Sequence, residues 1–276
     1  MSVAEAVAAG QLPGRVWFYS NYHCNLECTY CLTESAPGSV RRALDPDQVL
    51  RLAREAAELG FTDLGVTGGE PFLLPYLVDL LVDMSEILPT VVLSNGTVFG
   101  ERRLERVREL AGRRVEVQIS LDAPEADLND ELRGPENFAK VADVVPRLVA
   151  DGVKVRIATT VEPDRLDEAQ HARLCELHRS WGVSDDDHLV RPVISRGRAR
   201  TAEMGTVFDH HQIPAELTVT VDGAFWSPFG PTMRDGRVDT DLLLTRTVEP
   251  LAVPAAALER LVAGRPPGDD AGIGIR

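Results

Sequence analysis

His23-Cys24-Asn25-Leu26-Glu27-Cys28-Thr29-Tyr30-Cys31 carries three cysteines in the spacing C-x3-C-x2-C. Three thiolates without a fourth partner suit a 4Fe–4S cluster in which one iron stays open to a ligand other than protein. Zinc is the competing reading, and a structural zinc site closes on four protein ligands. His23 is adjacent to Cys24 and poorly placed to complete such a set, while Cys175 lies far along the chain on an expected helix. The chain has four cysteines, and a disulfide framework would scatter them rather than gather three in one run. Metal ligation in a reducing cytosol fits better.

Outward from this run, short β-rich segments alternate with helical periods. Arg15–Ser20 reads as a first strand, ending just before the cysteines. Asp45-Pro46 reads as an N-cap with proline at the first helical position, followed by Val49, Leu52, Ala53 and Ala56 on one face. Thr62–Thr67 is a second strand, and Leu77, Leu80, Leu81 and Met84 mark another amphipathic helix. Val91–Ser94, Val115–Leu121, Val153–Val161 and His188–Ile194 supply further strands, with helices expected over Leu104–Leu110, Phe138–Val149 and Leu166–Trp181. Six β/α units with short connections predict a parallel sheet with right-handed crossovers. Six are too few to close an eight-stranded barrel. The expected fold is α/β: a partial (β/α)6 barrel of the TIM type over residues 14–200, open on one side, with a small C-terminal α+β extension.

The extension is expected over residues 205–263. Leu217–Val221, Asp222-Gly223 and Ala224–Trp226 read as a hairpin, and a last helix is expected near Ala255–Ala263. Residues 264–276, with Pro266-Pro267-Gly268-Asp269-Asp270, read as a disordered tail.

The 276 residues are 44% hydrophobic, enough for a sizeable core without a disulfide or metal to fold it. Lysine and arginine total 29 against 43 acidic residues, a net charge of −14. That surface repels phosphate backbones, arguing against nucleic acid as the main substrate and mildly favouring a basic peptide or an aminated sugar. No apolar run approaches the ~18 residues of a membrane span, and no basic region precedes an apolar one at the start. A cytoplasmic location, with no membrane partner, is expected.

Four motifs fall just after the first four strands, on the face where β/α barrels place their sites. Besides the cysteine run these are Gly68-Gly69-Glu70-Pro71, Ser94-Asn95-Gly96 and Ser120-Leu121-Asp122. Together they resemble the radical S-adenosylmethionine (SAM) superfamily, whose hallmark is a three-cysteine loop after the first barrel strand. The resemblance implies that Cys24, Cys28 and Cys31 ligate one 4Fe–4S cluster and that Tyr30 occupies an aromatic position whose loop backbone lies near the adenine of SAM. It implies that Gly68, Gly69 and Glu70 hold the methionyl amino group, and that Ser94 and Asn95 help to line the site. Ser120 and Asp122 resemble positions that bond the ribose and the methionyl carboxylate, and Arg133 an arginine that pairs with that carboxylate. Taken alone, Gly-Gly-Glu-Pro also reads as an ordinary turn, and Asp122 as a turn cap. Arg191, Arg196 and Arg198 could reach SAM or a substrate carboxylate, or form a solvated basic rim. Cys175 reads as a buried structural cysteine; His188, His210 and His211 lack a supporting pattern and are left out of the site.

The segment Asp222–Pro228 with Asp235-Gly236 resembles a SPASM/twitch-type extension, in which a cysteine commonly stands where Ser227 is. No cysteine follows Cys175, so this extension cannot hold a cysteine-ligated second cluster. The implied function is reductive cleavage of SAM to a 5′-deoxyadenosyl radical that abstracts hydrogen from a substrate C–H bond. The expected setting is natural-product tailoring by epimerisation, rearrangement or elimination. The expected substrate is a small sugar- or nucleoside-derived metabolite or a ribosomal peptide, with an electron donor such as flavodoxin or ferredoxin. The short N-terminal segment Met1–Pro13 shifts the weight slightly towards a small molecule. A glycyl-radical activase is the alternative enzyme. An iron–sulfur carrier or scaffold is the non-enzymatic one, and it would have no use for the SAM motifs.

Overall fold

The computed structural model describes residues 2–162 and 167–263. The expected tail at 264–276, and Leu166 of an expected helix, lie outside these residues. A short helix α1 (Val3–Ala8), closed by a capping box at Ser2, leads into β1 (Arg15–Asn21). The helix α2 (Pro46–Leu59) starts where the sequence predicts: the Asp45 carboxylate accepts from the Gln48 amide, and Val49, Leu52, Ala53 and Ala56 are buried. Gly60 ends it in the left-handed conformation at φ 94°. Then come β2 (Asp63–Gly68), α3 (Leu77–Ile87), β3 (Thr90–Ser94), α4 (Glu101–Val107) and β4 (Val115–Ser120). Two helices in series, α5 (Ala126–Arg133) and α6 (Asn137–Ala150), precede β5 (Lys154–Val161), and α7 (Glu168–Ser180) precedes β6 (His188–Pro192).

α5 is absent from the sequence expectations. Its eight residues, ADLNDELR, are mostly polar, and what it buries is Asn129 and Arg133 rather than an apolar stripe. Periodicity of hydrophobic residues has no purchase on such a helix.

After the one-turn helix α8 (Arg198–Thr201) come β7 (Leu217–Thr220), β8 (Gly223–Phe225), β9 (Met233–Arg234), β10 (Arg237–Val238), β11 (Leu243–Thr245) and α9 (Ala252–Val262). Nine strands form one sheet in the order β11-β8-β7-β1-β2-β3-β4-β5-β6. From β1 to β6 every pairing is parallel, the signature of successive β/α units. β7 also pairs parallel with β1, setting Val16, Trp17 and Phe18 against Leu217, Thr218 and Val219. The sheet therefore runs without a break from the β/α units into the hairpin. The hairpin turn is Val221-Asp222, one residue earlier than the sequence predicts, because Gly223 pairs with Thr220. At Gly223 φ is +139°, and a Cβ would stand 2.5 Å from the Thr245 carbonyl oxygen.

One continuous apolar core fills the space between sheet and helices. Trp17 and Phe18 of β1 are buried in it, as are Phe225, Trp226 and Phe229 of the hairpin region. The Trp17 indole N–H donates to Glu216, so the carboxylate is buried with a partner.

Candidate functional site

The C-terminal strand ends surround one cavity of about 1030 Å³, counting the space at its open mouth. Cys24, Cys28 and Cys31 line it, with Tyr30. β2 contributes Thr67 and Gly68, with Gly69 next to it; β3 contributes Leu93 and Ser94, with Asn95 next to it. Ser120 comes from β4, Thr160 from β5, Arg191 and Pro192 from β6, and Arg133 from the end of α5. Tyr19 of β1, Pro228 and Phe229 wall the remaining side, where the Tyr19 hydroxyl donates to the Pro228 carbonyl at 2.8 Å. The structure brings ten of the twelve expected site residues to this wall; Glu70 and Asp122 stand behind it.

The cysteine loop is seated by the residues that follow β2. The Gly69 amide donates to the Asn21 carbonyl and the Glu70 amide to the His23 carbonyl, each at 2.9 Å. A Cβ on Gly69 would lie 2.1 Å from the His23 carbonyl oxygen, and one on Gly68 would lie 2.3 Å from that of Asn21. Glycine is required here by the close passage of the β1 chain, directly ahead of Cys24.

Glu70 is fully buried. Its carboxylate accepts from the Phe72 amide at 3.0 Å, the Ser94 hydroxyl at 2.9 Å and the Asn95 amide at 2.8 Å. Burial pushes its pKa up to about 7, against the pull of those donors. Through Glu70 the end of β3 is fixed to the end of β2. The Asn95 amide group reaches on to Cys24 Sγ at 3.6 Å and to the Asn25 side chain at 2.9 Å.

Asp122 is tied to three elements. It accepts from the Thr160 amide of β5 at 2.9 Å, from Arg133 at 3.0 Å and from the Tyr30 hydroxyl. Arg133 donates as well to the Tyr30 oxygen, and its Nε is buried without a partner among the described residues. Asn129 holds this corner together, accepting from the Asp122 amide at 3.0 Å and donating to Asn137 at 2.8 Å.

Arg196 and Arg198 do not line this cavity. Arg198 donates to the Cys28 carbonyl at 2.9 Å and to the Ser35 carbonyl, stapling the cysteine loop, and Arg196 pairs with Asp241 at 2.7 and 2.9 Å. Arg191 differs. It lines the cavity, donates to the Thr160 hydroxyl at 3.3 Å, and has no carboxylate partner among the described residues.

Burial pushes the Cys24 thiol up to about 12, with the charge of Glu70 adding to the effect, and burial also raises Cys28. Such thiols are neutral until a metal displaces their protons. The three sulfurs line one wall but do not form a group within 4.8 Å of one another, as a single ion would need. Three separated sulfur donors and an unpartnered Arg133 Nε on the same cavity fit an iron–sulfur cluster with a small anionic ligand beside it.

The chain matches the profile of the radical SAM superfamily over residues 19–174, more than half its length. The chain belongs to the radical SAM superfamily. Members use a 4Fe–4S cluster and SAM. A GTP 3′,8-cyclase of Clostridium perfringens (strain SM101 / Type A) is 29% identical over 147 residues, 51% of this chain and 44% of the cyclase. The chain thus spans less than half the length of that relative. Streptococcus suis SuiB, solved with its precursor peptide SuiA, superposes with a TM-score of 0.59 at 19% identity, over 69% of this chain and 42% of SuiB. BtrN, solved with AdoMet and 2-DOIA, superposes with a TM-score of 0.50 at 14% identity, over 91% of this chain and 86% of that one. The shared fold with BtrN thus takes in most of this chain's length. Among the described residues no helix is long and apolar enough to cross a membrane.

Thr67, Thr160 and Pro228 were not visible as site residues in the sequence. A threonine near a strand end and a proline in a loop carry no chemistry-specific spacing. The one available signal was position, at the carboxyl ends of predicted parallel strands.

Proposed function

We propose that this chain is a radical SAM enzyme in which Cys24, Cys28 and Cys31 hold one 4Fe–4S cluster. SAM would lie along Gly68, Gly69, Ser94, Asn95 and Ser120, with Tyr30 and Arg133 beside it. The observation that carries the reading is the convergence of the three cysteines and the ends of the parallel strands β1 to β6 on one cavity. Loaded with cluster and SAM, the site would supply reductive SAM cleavage and hydrogen abstraction from a substrate C–H bond.

The chain's own residues position and protect. Glu70 and Asn95 fix the wall beside Cys24, and Asp122 orients Arg133 and Tyr30. Tyr19, Pro228 and Phe229 screen the cavity from water, which a reactive intermediate requires. Arg191, a cavity cation with no carboxylate bonded to it among the described residues, would take an anionic group of SAM or substrate. Residues 205–263 serve as a fitted extension of the barrel rather than a cluster-binding module.

The substrate class we favour is a small sugar- or nucleoside-derived metabolite in natural-product tailoring, with a redox-neutral outcome such as epimerisation, rearrangement or elimination. It suits a cavity walled by Tyr19 and Phe229 with hydroxyls at Thr67 and Thr160. A ribosomal peptide is the second reading, supported by the net charge of −14, which attracts basic peptides. An external one-electron donor such as flavodoxin or ferredoxin completes the system.

Anaerobic reconstitution followed by dithionite and SAM tests the core of the proposal. About four irons and four sulfides per chain and release of 5′-deoxyadenosine are expected. Both should vanish when the three cysteines become alanine. A chain loaded with four irons that forms no 5′-deoxyadenosine would refute the proposal.

A further inference from the structure

Beyond the cavity, at the β6 edge of the sheet, a second set of metal-binding side chains comes together. α7 carries His171 and Cys175 four residues apart, hence on one helical face, and β6 opens with His188. Cys175 Sγ lies 3.9 Å from His171 Nε2 and 3.8 Å from His188 Nδ1. The ligand atoms of all three residues lie within 4.8 Å of one another.

The neighbours fix how His188 presents itself. The Thr159 hydroxyl stands 2.7 Å from the Leu121 carbonyl, which can only accept, so the threonine proton is committed there. Thr159 Oγ1, 2.9 Å from His188 Nε2, must therefore accept from that ring N–H. The proton on Nε2 leaves a lone pair on Nδ1, the nitrogen facing Cys175. Holding the far ring nitrogen in this way is what the surroundings of a ligating histidine commonly do.

A thiol hydrogen bond accounts for little of this arrangement. One S–H can serve one acceptor, while two imidazoles approach the same sulfur. With metal–sulfur near 2.3 Å and metal–nitrogen near 2.0–2.1 Å, tetrahedral ligation puts sulfur and nitrogen roughly 3.5 Å apart. The observed separations exceed this by a few tenths of an ångström, within reach of a rotation of the exposed His171 ring. His178, one turn further along α7, is fully buried edge-on to His188, with ring centroids 4.5 Å apart. Neither His178 nitrogen has a partner among the described residues.

We propose that His171, Cys175 and His188 form a binding site for one transition-metal ion of the zinc class, separate from the cysteine-lined cavity. One sulfur and two imidazole nitrogens are a borderline donor set that suits Zn(II) and Co(II) and discriminates against magnesium and calcium. Binding displaces the Cys175 proton to solvent and leaves the fourth coordination position to water entering past His171. The bound ion would clamp α7 to the free edge of the sheet. β6 carries Arg191, and Thr159 adjoins Thr160, so the clamp would steady two residues of the cavity wall.

With Cys24, Cys28 and Cys31 replaced by alanine, Cys175 is the one cysteine left in the full-length chain, and Co(II) reports on it directly. One equivalent should bind, with a thiolate-to-cobalt charge-transfer band and the strong visible bands of a tetrahedral site. Cys175→Ser should abolish the charge-transfer band. His171→Ala, at an exposed position, should weaken binding at least tenfold without loss of fold. Thr159→Val, which touches no metal, should weaken it roughly 10–100-fold by releasing the His188 tautomer. In parallel, the cluster-loaded wild-type chain titrated with Zn(II) should show one sulfur and three nitrogen or oxygen scatterers at the zinc absorption edge, two of them imidazoles. Absence of the charge-transfer band, or zinc binding to the cluster-loaded chain that Cys175→Ser and His171→Ala leave unchanged, would overturn the proposal.

Discussion

Arg133 and Asp122 form an ion pair at 3.0 Å whose side chains are 7% and 0% exposed. The Arg133 charge, which lines the cavity, is thus already matched inside the protein, and Tyr30 shares the contact. Breaking a buried pair by removing one partner costs about 3–5 kcal/mol, because the other charge stays buried. Arg133→Ala should therefore lower stability by that order in denaturant unfolding. Arg133→Lys should keep much of the stability and still impair SAM binding, since a compact ammonium cannot reproduce the guanidinium fork, in which one nitrogen serves Asp122 and Tyr30 while the others stay apart from it. Wild-type SAM affinity in the lysine variant would show that Arg133 only supports the fold.

Glu70→Gln tests a different kind of loss. The carboxylate accepts three hydrogen bonds, two of them from backbone amides, and an amide side chain must turn one NH2 group towards those donors. Leaving a buried donor unsatisfied costs about 1–3 kcal/mol. The strain falls on Asn95, whose side chain touches Cys24. Reduced iron retention, together with weaker SAM binding and a lower melting temperature, is the expected result. Iron content and melting temperature equal to wild type would mean that the Glu70 network does not hold the cluster wall.

Gly69→Ala should act through the cysteine loop rather than through a ligand contact. The new methyl would sit 2.1 Å from the His23 carbonyl oxygen, so the chain carrying Cys24 must move. Iron bound after anaerobic reconstitution should fall well below four per chain while the helix signal in circular dichroism stays near wild type. Gly100→Ala, where a Cβ meets nothing within 4 Å, is the matched control.

The elements that the sequence made legible are those with an apolar period and a chemical punctuation mark. α2 is the clearest case, with Asp45, Pro46 and Gly60 at its ends and the four expected residues buried along it. The cavity was legible because parallel strands deliver their ends to one side, whatever residues stand there. What stayed hidden depends on long-range partners. Nothing local tells that β7 would pair with β1 some 200 positions earlier. Nothing local tells that Arg198 would staple Cys28 and Ser35, or that Glu70 would face Asn95. The grouping of Cys175 with His188 stays hidden for the same reason: one lies on a helix, the other on a strand, and only the α7–β6 packing brings them together with His171.

The C-terminal segment builds one wall of the cavity. Phe229 is 2% exposed and lines the cavity beside Pro228, whose carbonyl accepts from Tyr19. Deleting residues 217–238 is too blunt a test, because it would strip β1 of its β7 neighbour and leave an unpaired strand edge prone to aggregation. Phe229→Leu keeps an apolar side chain and the β7 pairing while thinning the wall; the change should cost no more than about 1–3 kcal/mol, less than truncation to alanine. Tyr19→Phe removes the hydrogen bond to Pro228 at a cost of about 1 kcal/mol and leaves the ring in place. If this wall screens the site from water, both variants should load four irons and cleave SAM unproductively at least twice as fast as wild type when no substrate is added. The rate of 5′-deoxyadenosine formation measures this directly. Two folded, iron-loaded variants with the wild-type rate would show that Tyr19 and Phe229 pack the hairpin without gating the cavity.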